Sequence, residues 1–332
     1  MDLAQQEITN DLLKEIAPKI ERLTNLRSMY LYNNQISDIT PLANMTNLIG
    51  LSLENNQISD VTPLANLTSL TSLSLSNNLI SDIAPLSGLI NLESLDMVDN
   101  DISDITALTD MTKLRGVNLQ RNKISDITPL SNKTSLINLF LSNNQISDIS
   151  PLATLKNWNN PLYDFLLITL DSNLISDLTP LAELNNVPRL DLNLYDNQIS
   201  NITPLEGLTN LTSLNLGSNQ IDDLSPLSNL RNLLELQMWD NQIVDISPLA
   251  NLTALTELDL WSNEVSDISP LSGLTNLSIL GLGSNPVSDI APLANLKNLT
   301  KLDLRIYSYN YKISESDQDW LKSQLPDCEI QF

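Results

Sequence analysis

An asparagine returns at Asn34, Asn56, Asn78, Asn100, Asn122, Asn144, Asn173, Asn197, Asn219, Asn241, Asn263 and Asn285, and nine of the eleven intervals between them are 22 residues. The other two are 29 residues (Asn144 to Asn173) and 24 residues (Asn173 to Asn197). Around each asparagine the spacing is LxxLxLxxNxI, as in Leu48, Leu51, Leu53, Asn56 and Ile58. In LxL the two leucines point to one face of a short strand and the residue between them to the other. One such coil cannot bury its leucines alone, so successive coils must stack and merge their cores. The asparagine at the strand's end is then expected to turn inward, its amide bonding turn backbone in its own and the adjacent coil.

The other half of each coil is as regular. Ser or Thr precedes proline at Thr40–Pro41, Thr62–Pro63, Ser150–Pro151, Thr203–Pro204 and Ser247–Pro248, and eleven of the sixteen prolines share this column. Hydroxyl then proline reads as an N-cap before a pre-set first helical residue, with room only for short 3-10 segments. The ends of such a stack need covers. Ile8, Leu12, Leu13, Ile16 and Ile20 recur at helical spacing in front. Behind, Ser314 with Asp317 opens a helix bearing Trp320, Leu321 and Leu325, followed by a short apolar tail. Cys328, in that tail, reads as a small buried hydrophobe.

This 22-residue pattern is that of a leucine-rich repeat, and over about residues 24–300 it resembles the internalin-like bacterial repeats, kin of the phosphatase-1 regulator class. The resemblance implies an α/β repeat solenoid: a right-handed superhelix with a concave parallel β-sheet of about 13 strands, 3-10 segments on the convex side and helical caps. The expected division is a cap helix over 1–23, repeats over 24–298 with an insertion near 156–164, and a last strand with a helical cap over 299–332. In internalins such coils bind host receptors along the concave face. This chain shows no signal peptide, immunoglobulin-like segment or wall anchor, so an invasin role is not carried over. Its closing helix looks more like that of stand-alone intracellular or cyanobacterial repeat proteins.

Composition removes several functions. Acidic residues outnumber basic ones 40 to 17, for a net charge of −23. That field repels nucleic acid and anionic membranes and favours cationic protein partners. There is no histidine and a single cysteine, which removes the commonest general base and metal ligand as well as any disulfide framework. No run approaches the ~20 apolar residues of a membrane span. The expectation is a cytoplasmic, monomeric, non-catalytic module without cofactor or metal, binding a basic protein or peptide. The alternative is a sensing or structural fragment of a larger signalling or surface protein.

Function has to lie in the residues that vary between coils. Six of the fourteen aromatics fall on solvent-facing strand positions: Tyr30, Tyr32, Phe140, Tyr195, Trp239 and Trp261. Trp239 and Trp261 hold the same place in consecutive coils, so they are expected about 5 Å apart on neighbouring strands. Glu235, Asp240, Glu257 and Asp259 surround them, Asp171 and Asp191 lie in the preceding coils, and glycines 217, 281 and 283 leave room on either side. Exposed aromatics rimmed by carboxylates have the composition of a hot spot for a basic partner. The competing reading is that the aromatics only pack against their strand neighbours.

Two further features stand out. The long coil carries Trp158, Pro161 and Tyr163 on a loop that either contacts ligand or folds back. Should the extra residues of the next coil follow its strand, Tyr195 moves into a turn. A column of aspartates runs through Asp38, Asp60, Asp82, Asp104, Asp126, Asp148, Asp177, Asp223, Asp245, Asp267 and Asp289. These read as turn-stabilising carboxylates, with a calcium array as the alternative.

Overall fold

The computed structural model describes residues 1–158, 160, 162–305 and 313–332; Pro161 of the insertion lies outside the described residues. Two compact units divide the chain, Met1–Thr169 and Leu170–Phe332. The first carries β1 (Ser28–Tyr30), β2 (Gly50–Ser52), β3 (Ser72–Ser74), β4 (Ser94–Asp96), β5 (Gly116–Asn118), β6 (Asn138–Phe140) and β7 (Phe165–Thr169). The second carries β8 (Arg189–Asn193), β9 (Leu211–Asn215), β10 (Glu235–Gln237), β11 (Glu257–Asp259), β12 (Ile279–Gly281), β13 (Lys301–Asp303) and β14 (Glu329–Gln331). Within each unit the strands pair in parallel in chain order, as in Met29 beside Leu51 and Leu236 beside Leu258. This is the leucine-rich repeat solenoid. Its last strand is built from the tail that sequence reading treated only as an apolar end.

One coil shows why the stack holds. Leu73, Leu75, Ile80, Ile83, Leu86, Leu89 and Leu92 are all buried to 1% exposure or less, each contributing about 1.5–3 kcal/mol on burial. Asn78 then stitches this coil to its predecessor. Its Nδ2 donates to Leu75 O and Leu53 O, both at 3.0 Å, and its Oδ1 accepts from Ile58 N at 3.0 Å. The same bonds recur at Asn56, Asn100, Asn122 and Asn263. The inward turn expected of these asparagines is what the structure contains.

The residue before each ladder asparagine adopts the left-handed conformation, from Asn33 at φ 55° to Ser284 at φ 55°, and includes Arg121 at φ 55° and Asp240 at φ 54°. No glycine fills this column, although only glycine enters the region without steric cost and Asn or Asp with little. The spacing alone gave no sign of this turn.

The caps of the 3-10 segments differ from the expected hydroxyl caps. The aspartate two residues ahead accepts from the backbone: Asp60 Oδ1 from Thr62 N at 2.8 Å, Asp223 Oδ1 from Ser225 N at 2.8 Å. The hydroxyl donates to the same carboxylate, as Thr106 Oγ1 does to Asp104 at 2.5 Å. The Thr40 side chain and backbone, with Lys14 helping, bring the Asp38 carboxyl down to about 2. Thr62, Thr106 and Thr128 lower Asp60, Asp104 and Asp126 in the same way. In one coil Asn201 takes the place and still accepts from Thr203 N at 3.0 Å. Among the described residues no group of three or more acidic or cysteine side chains is placed to hold a metal ion.

At the front, α1 (Asn10–Ile20) is capped by Thr9 and buries Leu13, Ala17 and Ile20, while Leu12 faces outward. Residues Met1 and Leu3 extend the pairing beyond β1, with Tyr30 N donating to Met1 O at 3.0 Å and Leu3 N to Tyr30 O at 2.8 Å. At the back, α2 (Glu315–Gln324) starts at Ser314, whose Oγ accepts from Asp317 N at 3.1 Å, and it buries Leu321. Trp320 of this helix is exposed and Cys328 is only half-buried; burial pushes the thiol's pKa up. No helix among the described residues is long and apolar enough to cross a membrane.

Two residues break the pattern. Lys133 stands in the column occupied by Leu67, Leu89, Met111 and Leu155, and is itself 1% exposed. Its Nζ donates to Thr109 O at 2.7 Å, and burial lowers its pKa against the pull of Asp110. In the insertion, Trp158 folds back into the coil, 7% exposed, with Nε1 donating to Leu136 O at 2.6 Å. Leu162 and Tyr163 stay exposed, Tyr163 meeting Phe165 edge-on at 6.0 Å.

Candidate interaction surface

The alternation that buries the leucines puts the intervening residues on the solvent side of the strands. In the Leu170–Phe332 unit, backbone bonds align Tyr195, Gly217, Trp239, Trp261, Gly283 and Arg305 as one row. Asp196 N donates to Gly217 O at 3.0 Å, Ser218 N to Trp239 O at 2.8 Å, Asp240 N to Trp261 O at 2.8 Å, and Ser262 N to Gly283 O at 2.8 Å. Tyr195 therefore keeps its strand-face place. Opposite Leu190 and Asp191 the β8–β9 register shifts, with Thr212 as the extra residue on β9.

Trp239 and Trp261 are backbone neighbours, but their rings diverge. Trp239 lies back over Gly217: a Cβ there would stand 2.7 Å from its Cε2. This brings it onto Tyr195, ring centroids 4.8 Å apart and planes 33° apart. Trp261 lies forward over Gly283, where a Cβ would stand 2.5 Å from its Cδ1. The expected tryptophan pair is replaced by a Tyr195–Trp239 pair and a separate Trp261. Of the glycines expected to leave room, Gly217 and Gly283 are covered by the indoles and Gly281 by the Asp259 carboxylate. All three rings are half-buried.

The carboxylates take several roles. Glu235 accepts from Ser213 Oγ at 3.1 Å, and Asp240, in its left-handed turn, from Ser218 Oγ at 2.8 Å. Asp171 Oδ1 accepts from Asn193 Nδ2 at 3.0 Å. Asp191 accepts from Thr212 Oγ1 at 2.5 Å and pairs with Arg189 at 2.9 Å. Asp259 leans over Gly281, its Oδ1 accepting from Trp261 N at 2.9 Å. Burial holds its carboxyl above the usual range, the Trp261 bond opposes this, and Asp303 adds to it. Burial also pushes Asp303 up, but the hydrogen bonds and charge of Arg305, 2.5 Å away, more than offset it.

A depression of about 480 Å³ opens here, lined by Glu257, Asp259, Trp261, Gly281, Lys301 and Asp303 among others. Its basic wall, Lys301 and Arg305, was not among the expected site residues; a net charge summed over the chain gives no sign of such local mixing. Phe165, on the solvent side of β7, was also missed, because the 29-residue coil hid its register.

Tyr30, Tyr32 and Phe140 lie in the Met1–Thr169 unit. The two tyrosines border a depression of about 490 Å³ above Gly50, lined by Ser52, Glu54, Ser72 and Ser74. Phe140 is half-buried on β6 beside Asn118 and Thr169.

Comparison with known proteins agrees with this architecture. The family described as Leucine Rich repeats (2 copies) matches residues 24–66, 46–88, 90–132, 189–229 and 231–273. No curated protein is matched by the chain. Among solved structures, an internalin (InlF) from Listeria monocytogenes is 39% identical with a TM-score of 0.80, over 88% of this chain and 83% of that one. A leucine-rich repeat protein of Leptospira interrogans, 23% identical, superposes with a TM-score of 0.77 over 100% and 95% of the two chains. The ectodomain of the Arabidopsis thaliana receptor kinase GASSHO1/SCHENGEN3, in complex with Casparian strip integrity factor 2, is 20% identical with a TM-score of 0.67, over 94% of this chain and 44% of that one. The last two share the fold alone. With its asparagine ladder, its 22-residue coils and its likeness to InlF, the chain belongs to the leucine-rich repeat proteins of internalin type.

Proposed function

We propose that this protein is a non-catalytic interaction module whose solvent-side strand residues in Leu170–Phe332 bind a basic peptide or protein segment. Leucine-rich repeat proteins generally serve as protein-interaction modules. The observation that carries the reading is the aromatic row itself. Tyr195, Trp239 and Trp261 are half-exposed on the open side of the strands, where the core has no use for them, and Glu235, Glu257 and Asp259 stand on adjoining rows. Large rigid rings beside carboxylates suit lysine and arginine side chains, which stack on the rings and pair with the acids.

A second reading, a structural or sensing fragment of a larger protein, draws on the Tyr195–Trp239 contact, which gives that indole a packing partner. A random-peptide display library selected on the full chain separates the two. The interaction reading expects binders rich in Lys and Arg, weakened by salt. It also expects them to be lost in the Trp239→Ala/Trp261→Ala double variant while the thermal midpoint falls by only a few degrees. Selection of no binder, or collapse of stability in the double variant, favours the structural reading.

A further inference from the structure

The depression above Gly281 has a more specific character than the row of aromatics beside it. Register places Asp259, Gly281 and Asp303 side by side on β11, β12 and β13. The two carboxylates thus rise from strands about 10 Å apart, two strand spacings, with no side chain between them. Asp259 has already moved into the gap, since a Cβ on Gly281 would collide with its carboxylate. Trp261 forms one wall and Glu257 lies one row away. The basic residues on the far wall do not neutralise the near one: Arg305 is taken up by Asp303, and among the described residues no ion pair reaches Glu257 or Asp259. Asp259, Glu257 and the Trp261 indole border the notch together with Lys301 and Arg305, and a half-buried carboxylate that no ion pair reaches among the described residues is costly to keep ionised.

We infer that the notch above Gly281 is the anchor subsite of the interaction face, taking one arginine or lysine side chain of the bound peptide, with Asp259 and Glu257 as counter-charges and the Trp261 indole as its stacking wall. This rests on the proposed binding of a basic segment and assigns its anchor to a different place from the Tyr195–Trp239 pair. Gly281 is required because any side chain would fill the notch. Lys301 on the far wall sets a limit, repelling a second cation, so the subsite accepts one charge.

The test uses the 15N-labelled full chain and the tripeptide acetyl-Gly-Arg-Gly-amide, with its neutral citrulline counterpart as control. The expected result is saturable shifts of the Gly281 and Gly283 amides and the Trp261 indole NH, absent with citrulline. The affinity should be at least tenfold weaker in Asp259→Asn, which keeps the acceptor for Trp261 N and so folds alike, and in Gly281→Val. Shifts equal for arginine and citrulline, or unchanged affinity in Asp259→Asn, overturn the subsite. If library-selected basic peptides bind both variants as well as the parent chain, the interaction face stands and the subsite falls. If no basic peptide binds, both fall together.

Discussion

The indole of Trp239 lies across Gly217 and meets the ring of Tyr195 two coils away, centroids 4.8 Å apart. A residue without a side chain lets a large one lie down, and the stacked pair is the product. Aromatic pairs of this kind contribute about 0.5–1.5 kcal/mol beyond their buried area. Gly217→Val should therefore lift Trp239 off Tyr195, seen as a red shift and stronger acrylamide quenching of its fluorescence. The cost in stability should stay near 1 kcal/mol. An unchanged spectrum would mean that the glycine is incidental.

The asparagine ladder should be far less tolerant. Asn263 donates to Met238 O and Leu260 O and accepts from Ile243 N. Asn263→Ala leaves these buried groups unpaired, at roughly 1–3 kcal/mol for each that water cannot reach. Chemical denaturation should show a loss of at least about 2 kcal/mol, whereas Asn210, whose Nδ2 donates to Leu184 O and Val187 O but whose buried Oδ1 has no hydrogen-bond partner, should matter less.

Lys133 occupies a leucine column and should be a stability defect. Lys133→Leu is expected to stabilise by about 1–3 kcal/mol at neutral pH, the scale of an imperfectly compensated buried polar group. Because burial lowers the folded-state pKa below the ordinary 10.5, the unfolded chain binds the proton more tightly as pH rises toward that value. Stability of the parent chain therefore climbs relative to the variant across this alkaline interval. Denaturation of both chains at a series of pH values up to 10 checks the sign: the gap should narrow, and a gap that widens contradicts it.

The aspartate column should act in the opposite range. Thr40 holds Asp38 at about 2 in the folded chain against 3.8 otherwise, and related bonds lower Asp60, Asp126, Asp177 and Asp223. A depressed carboxylate contributes stability that is fully present above the unfolded value and lost as pH falls through the folded one. The loss should run from about pH 4 downward toward 2. Asn201 shows that an amide can hold the same turn, so converting several of these aspartates to Asn should flatten the acid limb of a thermal-midpoint profile while changing little at pH 7.

Relief of the left-handed column gives a last prediction. Arg121 at φ 55° has neither the freedom of glycine nor the local bonding of asparagine. Arg121→Asn or Arg121→Gly should raise stability by about 0.5–1 kcal/mol; a loss of that size would contradict the steric account.

The repeat was legible in the sequence because period and burial are the same fact: a leucine every few residues on one face has only one place to go. Strand positions and the inward asparagines follow from that, while the cap helices were legible from separate signals, the helical spacing of Leu12 to Ile20 and the Ser314–Asp317 pair. Side-chain direction on the open face did not follow. Whether Trp239 leans toward Gly217 or toward Trp261 depends on which neighbour leaves space, and that is a relation between coils rather than within one. The capping aspartates were read correctly as turn-stabilising, but the hydroxyl beside each proline proved a donor to the carboxylate rather than the cap. The insertion combined both expected behaviours, Trp158 folding back and Tyr163 staying out, because only the first finds a carbonyl for its N–H.

The measurement closest to the central claim is hydroxyl-radical footprinting of the full chain, read by mass spectrometry, with and without a library-selected basic peptide. The account predicts that Tyr195, Trp239 and Trp261 are oxidised in the free chain and protected in the complex, while exposed Trp320 and Tyr163 keep their rates. Protection at Trp320 or Tyr163 with the three row residues unchanged would place the partner elsewhere and contradict it.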